Sequence, residues 1–131
     1  MSRSLAGAQV VLIVDDDPIV REAIARGLDG SAYTTVHSDT ALHALELMRS
    51  VHVDAVIADF DMPGMNGVRF LTYVREMFPR CARLILSGGR RSDIGGLHEA
   101  GVEKNQVLSK DISPDELRKR LASALQGACY V

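Results

Sequence analysis

The 131-residue sequence predicts an α/β fold in which one doubly wound, five-stranded parallel sheet is covered by five helices. Three observations carry that prediction. Short β-branched apolar runs alternate with stretches whose apolar residues recur every three or four positions, the signatures of strands and amphipathic helices in turn. The main runs are apolar throughout, as in strands buried on both faces. Finally, 47% of the residues are apolar, 24% are charged and four are proline, which supports one core and excludes disordered, collagen-like and low-complexity classes.

The elements follow in order. Residues 9–14, Gln-Val-Val-Leu-Ile-Val, form the first strand. Asp17-Pro18 supplies an N-cap and a proline at the first helical position, and Val20, Ile24 and Leu28 repeat at i+4 until Gly30. That predicts a helix over 18–29. Tyr33 to His37 reads as a shorter strand. Ser38-Asp39 reads as the cap of a second helix with Leu42, Leu45 and Met48 on one face, and Val51 to Ala58 as the third strand. Pro63-Gly64 breaks the chain before a third helix marked by Val68, Leu71, Val74 and Phe78. Ala82 to Leu86 is the fourth strand and Gln106 to Ser109 the fifth. Between them, residues 91–101 predict a short or loose fourth helix, because Gly95-Gly96 costs about 1 kcal/mol per glycine relative to alanine. Ser113-Pro114-Asp115-Glu116 opens the last helix as a capping box, with Leu117, Leu121 and Leu125 on its inner face. No linker or internal repeat interrupts the pattern, so residues 1–131 are expected to form a single domain.

Charge and cysteine content narrow the partners. A net charge of −2 provides no bulk positive field for nucleic acid or anionic lipid. No apolar run approaches the roughly 20 residues that span a bilayer, and Met1-Ser2-Arg3-Ser4 leads into a strand rather than a secretory core. Cys81 and Cys129 have neither metal-ligand nor redox-pair spacing. A cytoplasmic, reducing location is expected, with no membrane and no direct nucleic-acid partner.

In an open α/β sheet, ligands bind beyond the carboxyl ends of the strands where the strand order reverses. The first strand ends in Asp15-Asp16, the third in Asp59, the fourth in Ser87 and the fifth in Lys110. With the order 2-1-3-4-5, three carboxylates would converge beside a hydroxyl and an ammonium. Mutually repelling carboxylates with room for water favour a hard cation such as Mg²⁺. A carboxylate is also a nucleophile toward phosphorus when neighbours neutralise the transferring group. Asp59 is the expected nucleophile, since it stands at the tip of the central strand before the loop Phe60 to Gly67, held open by Pro63, Gly64 and Gly67.

The segments Val11-Leu-Ile-Val-Asp-Asp-Asp-Pro18, Ala58-Asp-Phe-Asp-Met-Pro-Gly-Met-Asn-Gly67, Leu84-Ile-Leu-Ser87 and Leu108-Ser-Lys110 closely resemble the receiver domain of bacterial two-component response regulators. Four motifs in the right order, each at its strand end, make the resemblance specific, and it extends over essentially the whole chain. It implies a flavodoxin-like fold and a phosphorylation-controlled signalling switch. A histidine kinase or phosphotransfer protein would donate a phosphoryl group to Asp59, with at most slow autodephosphorylation and no other enzymatic activity. It further implies Asp16 as a direct Mg²⁺ ligand, Asp15 as a ligand acting largely through water, and the backbone carbonyl of Asp61 completing the protein's share with Asp59. Ser87 would bond the phosphoryl group, Lys110 would pair with it, and a downstream protein would bind the face from the fourth strand to the last helix.

The sequence departs from that family at several positions. Asp111 follows the lysine where proline with a cis bond is usual; a non-proline cis bond costs about 2.5–4 kcal/mol, so trans is expected. Val107 replaces the usual Tyr or Phe, removing an aromatic rotamer switch. The stretch from Gly101 to Lys110 is about two residues longer than the usual spacing. Asp61 adds an acid beside the nucleophile, and Gly89 offers no side chain over it.

Two other readings compete. Asp59-Phe60-Asp61 resembles the Asp-x-Asp nucleophile and acid pair of haloacid-dehalogenase-type phosphohydrolases, but that motif normally ends the first strand. A phosphate-independent receiver-like scaffold would account for Asp111 and Val107 but not for the intact acids. His37, His43, His52 and His98 lack clear ligand spacing. Ser87-Gly88-Gly89 lacks the residues that complete a P-loop. Arg118-Lys119-Arg120 reads as a solvated helix face and Arg90-Arg91 as a loop pair.

Overall fold

A computed structural model describes residues 8–89 and 94–128; Met1–Ser4, Arg90-Arg91 and Cys129 lie outside the described residues. The strands are β1 Gln9–Val14, β2 Tyr33–Ser38, β3 Ala55–Asp59, β4 Ala82–Ser87 and β5 Val107–Ser109. They alternate with helices α1 Pro18–Gly27, α2 Ala41–Ser50, α3 Gly67–Met77, α4 Leu97–Ala100 and α5 Pro114–Ala128. All four strand pairings are parallel, in the order β2-β1-β3-β4-β5.

The apolar runs explain the layering. Alternate residues of one strand point to opposite faces, so Val11 and Ile13 enter a cluster with Ile24, Leu28, Leu117 and Leu121 from α1 and α5. Leu12 and Val14 face the opposite cluster, with Ala44 and Met48 of α2 and Phe70, Leu71 and Val74 of α3. Leu12, Ile13, Ile57, Leu84 and Leu121 have no exposed surface. With both faces filled, polar chemistry is left to the sheet edges.

Several boundaries differ from the sequence-based expectation. Thr40, rather than Ser38 or Asp39, caps α2, its side chain accepting from the His43 N–H at 3.1 Å. Leu42 is 70% exposed, because Ala41, Ala44 and Met48 make the buried stripe instead. β3 begins at Ala55, not Val51: its ladder with β1 starts at Val11↔Ala55, and Val51 already closes α2 by donating to the Leu47 carbonyl. Gly67 belongs to α3, capped by the Asn66 side chain. α5 begins as expected, with the Ser113 hydroxyl accepting from the Glu116 N–H at 3.2 Å.

The fourth helix is a single turn. Gly101 ends it at φ +68°, a left-handed conformation that favours glycine. Arg75 of α3 holds that turn, donating from Nη1 to the His98 and Glu99 carbonyls at 3.0 and 3.2 Å. The extra length before β5 is absorbed by a 3₁₀ turn, Lys104–Gln106, in which the Gln106 side chain accepts from the Glu103 N–H. Arg118 and Arg120 are not merely solvated: Arg118 donates to the Gly27 carbonyl and Arg120 to that of Asn105, tying α5 to its neighbours.

Candidate functional site

The carboxyl ends of the strands collect the acids, as their sequence positions predict. β1 delivers Asp15 and Asp16, and β3, its neighbour in the ladder, delivers Asp59. Carboxylate oxygens from these three residues lie within 4.8 Å of one another. Among the described residues they form the one His/Cys/Asp/Glu cluster that could hold a metal ion; the histidines do not join such a group. Instead His43 pairs with the Ser38 hydroxyl and His52 with Asp54.

Each acid is held differently. Asp15 is fully buried, with Oδ1 accepting from the Asp17 N–H at 2.9 Å and a buried Oδ2 that has no hydrogen-bond partner. Burial raises its pKa to about 6; the Asp17 N–H opposes that rise, Asp59 and Asp16 add to it, and Lys110 counters it. Asp17 is spent on capping α1, its side chain accepting from the Ile19 N–H at 3.0 Å. Asp16 is exposed.

Asp59 is 2% exposed. Its Oδ1 lies 2.9 Å from Nζ of Lys110, an ion pair, and has no further hydrogen-bond partner. Burial raises its pKa; the hydrogen bond and charge of Lys110 and the Asp61 backbone N–H offset part of that rise, whereas the Asp61 charge adds to it. Burial works against the Lys110 ammonium, but Asp59, Asp15 and Asp61 outweigh it and hold the lysine above its ordinary pKa.

The remaining residues arrive through the ladder. Asp59 is registered with Leu86, so Ser87 stands one residue further along, and Ser87 is registered with Ser109, directly before Lys110. Ser87 is buried, and its hydroxyl accepts from the Gly89 N–H at 3.3 Å. A Cβ on Gly89 would meet nothing within 4 Å, so the mouth beside Ser87 is open. Val107 is buried in the core, and all described peptide bonds, including Lys110-Asp111, are trans.

One residue has a larger part than its sequence position suggested. Gly67 does more than open a loop: a Cβ there would lie 2.3 Å from the Asp59 carbonyl oxygen, and its N–H donates to the Phe60 carbonyl at 2.9 Å. The first turn of α3 therefore rests directly on the backbone of Asp59 and Phe60. A glycine directly before an apolar helical repeat was the available signal, but spacing alone does not reveal a close approach.

The acids fit a hard divalent cation. The donors are all oxygens, one is buried without a partner, and the nearby ammonium pairs with only one of three carboxylates.

The profile of response regulator receiver domains matches residues 11–122. The chain belongs to that family. Receiver domains are phosphorylation-controlled switches of two-component systems, which bind Mg²⁺ at an acidic pocket and interact with histidine kinases and downstream effectors; the family is generally a non-enzymatic phosphoacceptor. Among relatives, the hydrogenase transcriptional regulatory protein HoxA of Cupriavidus necator is 37% identical over 119 residues, covering 88% of this chain and 24% of the relative. A cyclic di-GMP phosphodiesterase of Thermotoga maritima is 28% identical over 121 residues, covering 92% of this chain and 32% of the relative. The signal receiver domain of an HD domain-containing protein from Pseudomonas fluorescens Pf-5 superposes with a TM-score of 0.86 at 26% identity, covering 95% of this chain and 99% of that one. The chain thus spans a quarter to a third of the length of these two curated relatives. Nothing in these comparisons favours the phosphohydrolase reading. No described helix is long and apolar enough to cross a membrane.

Proposed function

We propose that this receiver domain accepts a phosphoryl group on Asp59 from a phosphohistidine of a kinase or phosphotransfer protein, and that the added charge alters which protein it binds. The observation that carries the reading is the buried Asp59 carboxylate, paired at 2.9 Å with Lys110 inside a three-carboxylate cluster.

Asp15 and Asp16 with Asp59, and the Asp61 backbone carbonyl, would hold Mg²⁺. When bound, the ion neutralises the carboxylates and the oxygens of the transferring group. An Asp59 oxygen attacks phosphorus; the new O–P bond forms as the donor's N–P bond breaks, giving an acyl phosphate. The Lys110 ammonium pairs with a phosphoryl oxygen and the Ser87 hydroxyl donates to another, which is positioning and charge stabilisation rather than covalent chemistry. The domain's own catalysis is at most slow hydrolysis of the acyl phosphate. The modification replaces the carboxylate's single negative charge with a group carrying about −1.5 to −2, a net gain of roughly −0.5 to −1 at one end of β3, next to the β4 and β5 termini. That reading makes the face from β4 to α5 the output surface and a protein its partner. The described elements act as one unit, with a cytoplasmic site of action.

Intact-mass spectrometry with Mg²⁺ and acetyl phosphate tests the assignment. One phosphoryl adduct on the wild type, absent from Asp59→Asn, is expected. No adduct, together with no Mg²⁺-dependent beryllofluoride binding, would leave a phosphate-independent scaffold.

A further inference from the structure

Lysine is a flexible, rotamer-rich tether, so placing Nζ at 2.9 Å from Asp59 demands a defined backbone under it. Lys110 is the first residue after a three-residue strand, so its backbone is set by the ladder that ends at Ser109 and by the turn leading to α5. The Ile112 N–H donates to the Ser109 carbonyl at 3.1 Å, making Lys110 and Asp111 the two central residues of a β-turn. Ile112 anchors one side by packing against the α1/α5 cluster, and Ser113 caps α5 immediately afterwards. Inside the turn, the Ser109 hydroxyl donates to Oδ1 of Asp111 and accepts from the Asp111 N–H at 3.4 Å.

We propose that Asp111 is a positioning residue for phosphoryl transfer: its carboxylate, held by the Ser109 hydroxyl, fixes the turn that carries Lys110 to Asp59. Asp111 itself is exposed and directs its oxygen to Ser109, so it acts through backbone placement rather than by touching the phosphoryl group. A charge-assisted hydrogen bond across two residues restricts the turn to the conformation that aims Lys110 inward. Asn at the same position keeps the accepting oxygen and loses only the charge, whereas Ala loses both.

The proposal rests on Asp59 being the acceptor, and the test separates the two. Phosphorylation of the full chain by acetyl phosphate is followed for wild type, Asp111→Ala, Asp111→Asn and Asp59→Asn, alongside Mg²⁺ titrations. The Lys110 side-chain pKa is measured by NMR in metal-free protein. Asp111→Ala should lower the maximal phosphorylation rate about tenfold, a fraction of what a 1 Å misplacement can cost. Mg²⁺ affinity should stay within about twofold and the melting temperature should hold, because Asp111 is exposed and is not one of the clustered acids. Lys110 should titrate at lower pH as its pairing with Asp59 loosens. Asp111→Asn should recover most of the rate and the lysine pKa. Wild-type behaviour of Asp111→Ala in both rate and lysine titration would overturn the proposal. So would a loss of Mg²⁺ affinity in step with the rate, or an Asn variant as slow as Ala. If the wild type takes no phosphate, the acceptor assignment fails instead, and the Lys110 titration still decides whether Asp111 positions it.

Discussion

Two aspartates stand at opposite ends of the central strand, and their surroundings differ completely. Asp54, just before β3, has both oxygens engaged: Oδ2 accepts from the Val10 N–H at 2.8 Å and Oδ1 pairs with Nε2 of His52 at 3.0 Å. Its backbone is equally committed, donating to the Val10 carbonyl and accepting from the Ala82 N–H, both at 2.9 Å. Asp59, at the other end, meets a lysine and two further carboxylates. Asp54 is saturated by a backbone N–H and a histidine, whereas Oδ1 of Asp59 has no partner besides Lys110. At the amino end of a parallel sheet, unpaired N–H groups must be satisfied and an acid does so. At the carboxyl end, acids find few donors and remain available for a cation or a phosphoryl group.

The contrast can be broken from the Asp59 side by Gly67→Ala. The new Cβ would lie 2.3 Å from a backbone oxygen, which cannot yield cheaply, so α3 or the Asp59 backbone must shift. Phosphorylation by acetyl phosphate should fall on the order of 10²-fold, with a loss of about 1–3 kcal/mol in urea unfolding. An unchanged rate would show that Asp59 tolerates displacement of its backbone.

From the other side, Asp54→Ala should cost about 2–3 kcal/mol, since it strips the half-buried Val10 N–H at the start of β1 of a charged acceptor. The rate of phosphorylation per folded molecule should not change. A rate loss exceeding the stability loss would mean that the two ends of β3 are coupled.

The smallest expected effect is a pH dependence that sharpens the contrast. The Asp15 pKa is raised to about 6 from an ordinary 3.8, so the native state holds that proton more tightly than the unfolded chain does. Its contribution to stability is full below pH 3.8 and is lost as pH rises through about 6. Metal-free protein should therefore melt a few degrees higher at pH 5 than at pH 7.5, Mg²⁺ should restore the loss at pH 7.5, and Asp15→Asn should flatten the dependence. An equal slope in that variant would assign the titration elsewhere.

Much of this molecule was legible before its structure. β1, α1 and the inner face of α5 follow from continuous apolar runs, an Asp-Pro start and a leucine repeat, because local pattern and tertiary burial agree there. The acids were legible for a related reason: polar residues that interrupt an apolar strand at its carboxyl end lie on the binding edge of this fold class. Harder to read were features set by neighbours distant in sequence. Val51 and Val53 look like strand residues, yet the ladder starts at Ala55 because β1 offers its first partner there. Leu42 looks like core but is exposed, since close packing of α2 used Ala41 and Ala44 instead.

By itself, then, the sequence determined the order of strands and helices, the two-faced core, and the presence of Asp15, Asp16, Asp59, Ser87 and Lys110 at strand ends. Tertiary structure decided which of those groups meet, which oxygen stays unpartnered, that Gly67 lies against Asp59, and that Ser109 and Asp111 brace the lysine turn. Periodicity records burial, a property each residue carries along the chain. Hydrogen-bond partnership and close approach depend on pairs, and only the folded register brings those pairs together.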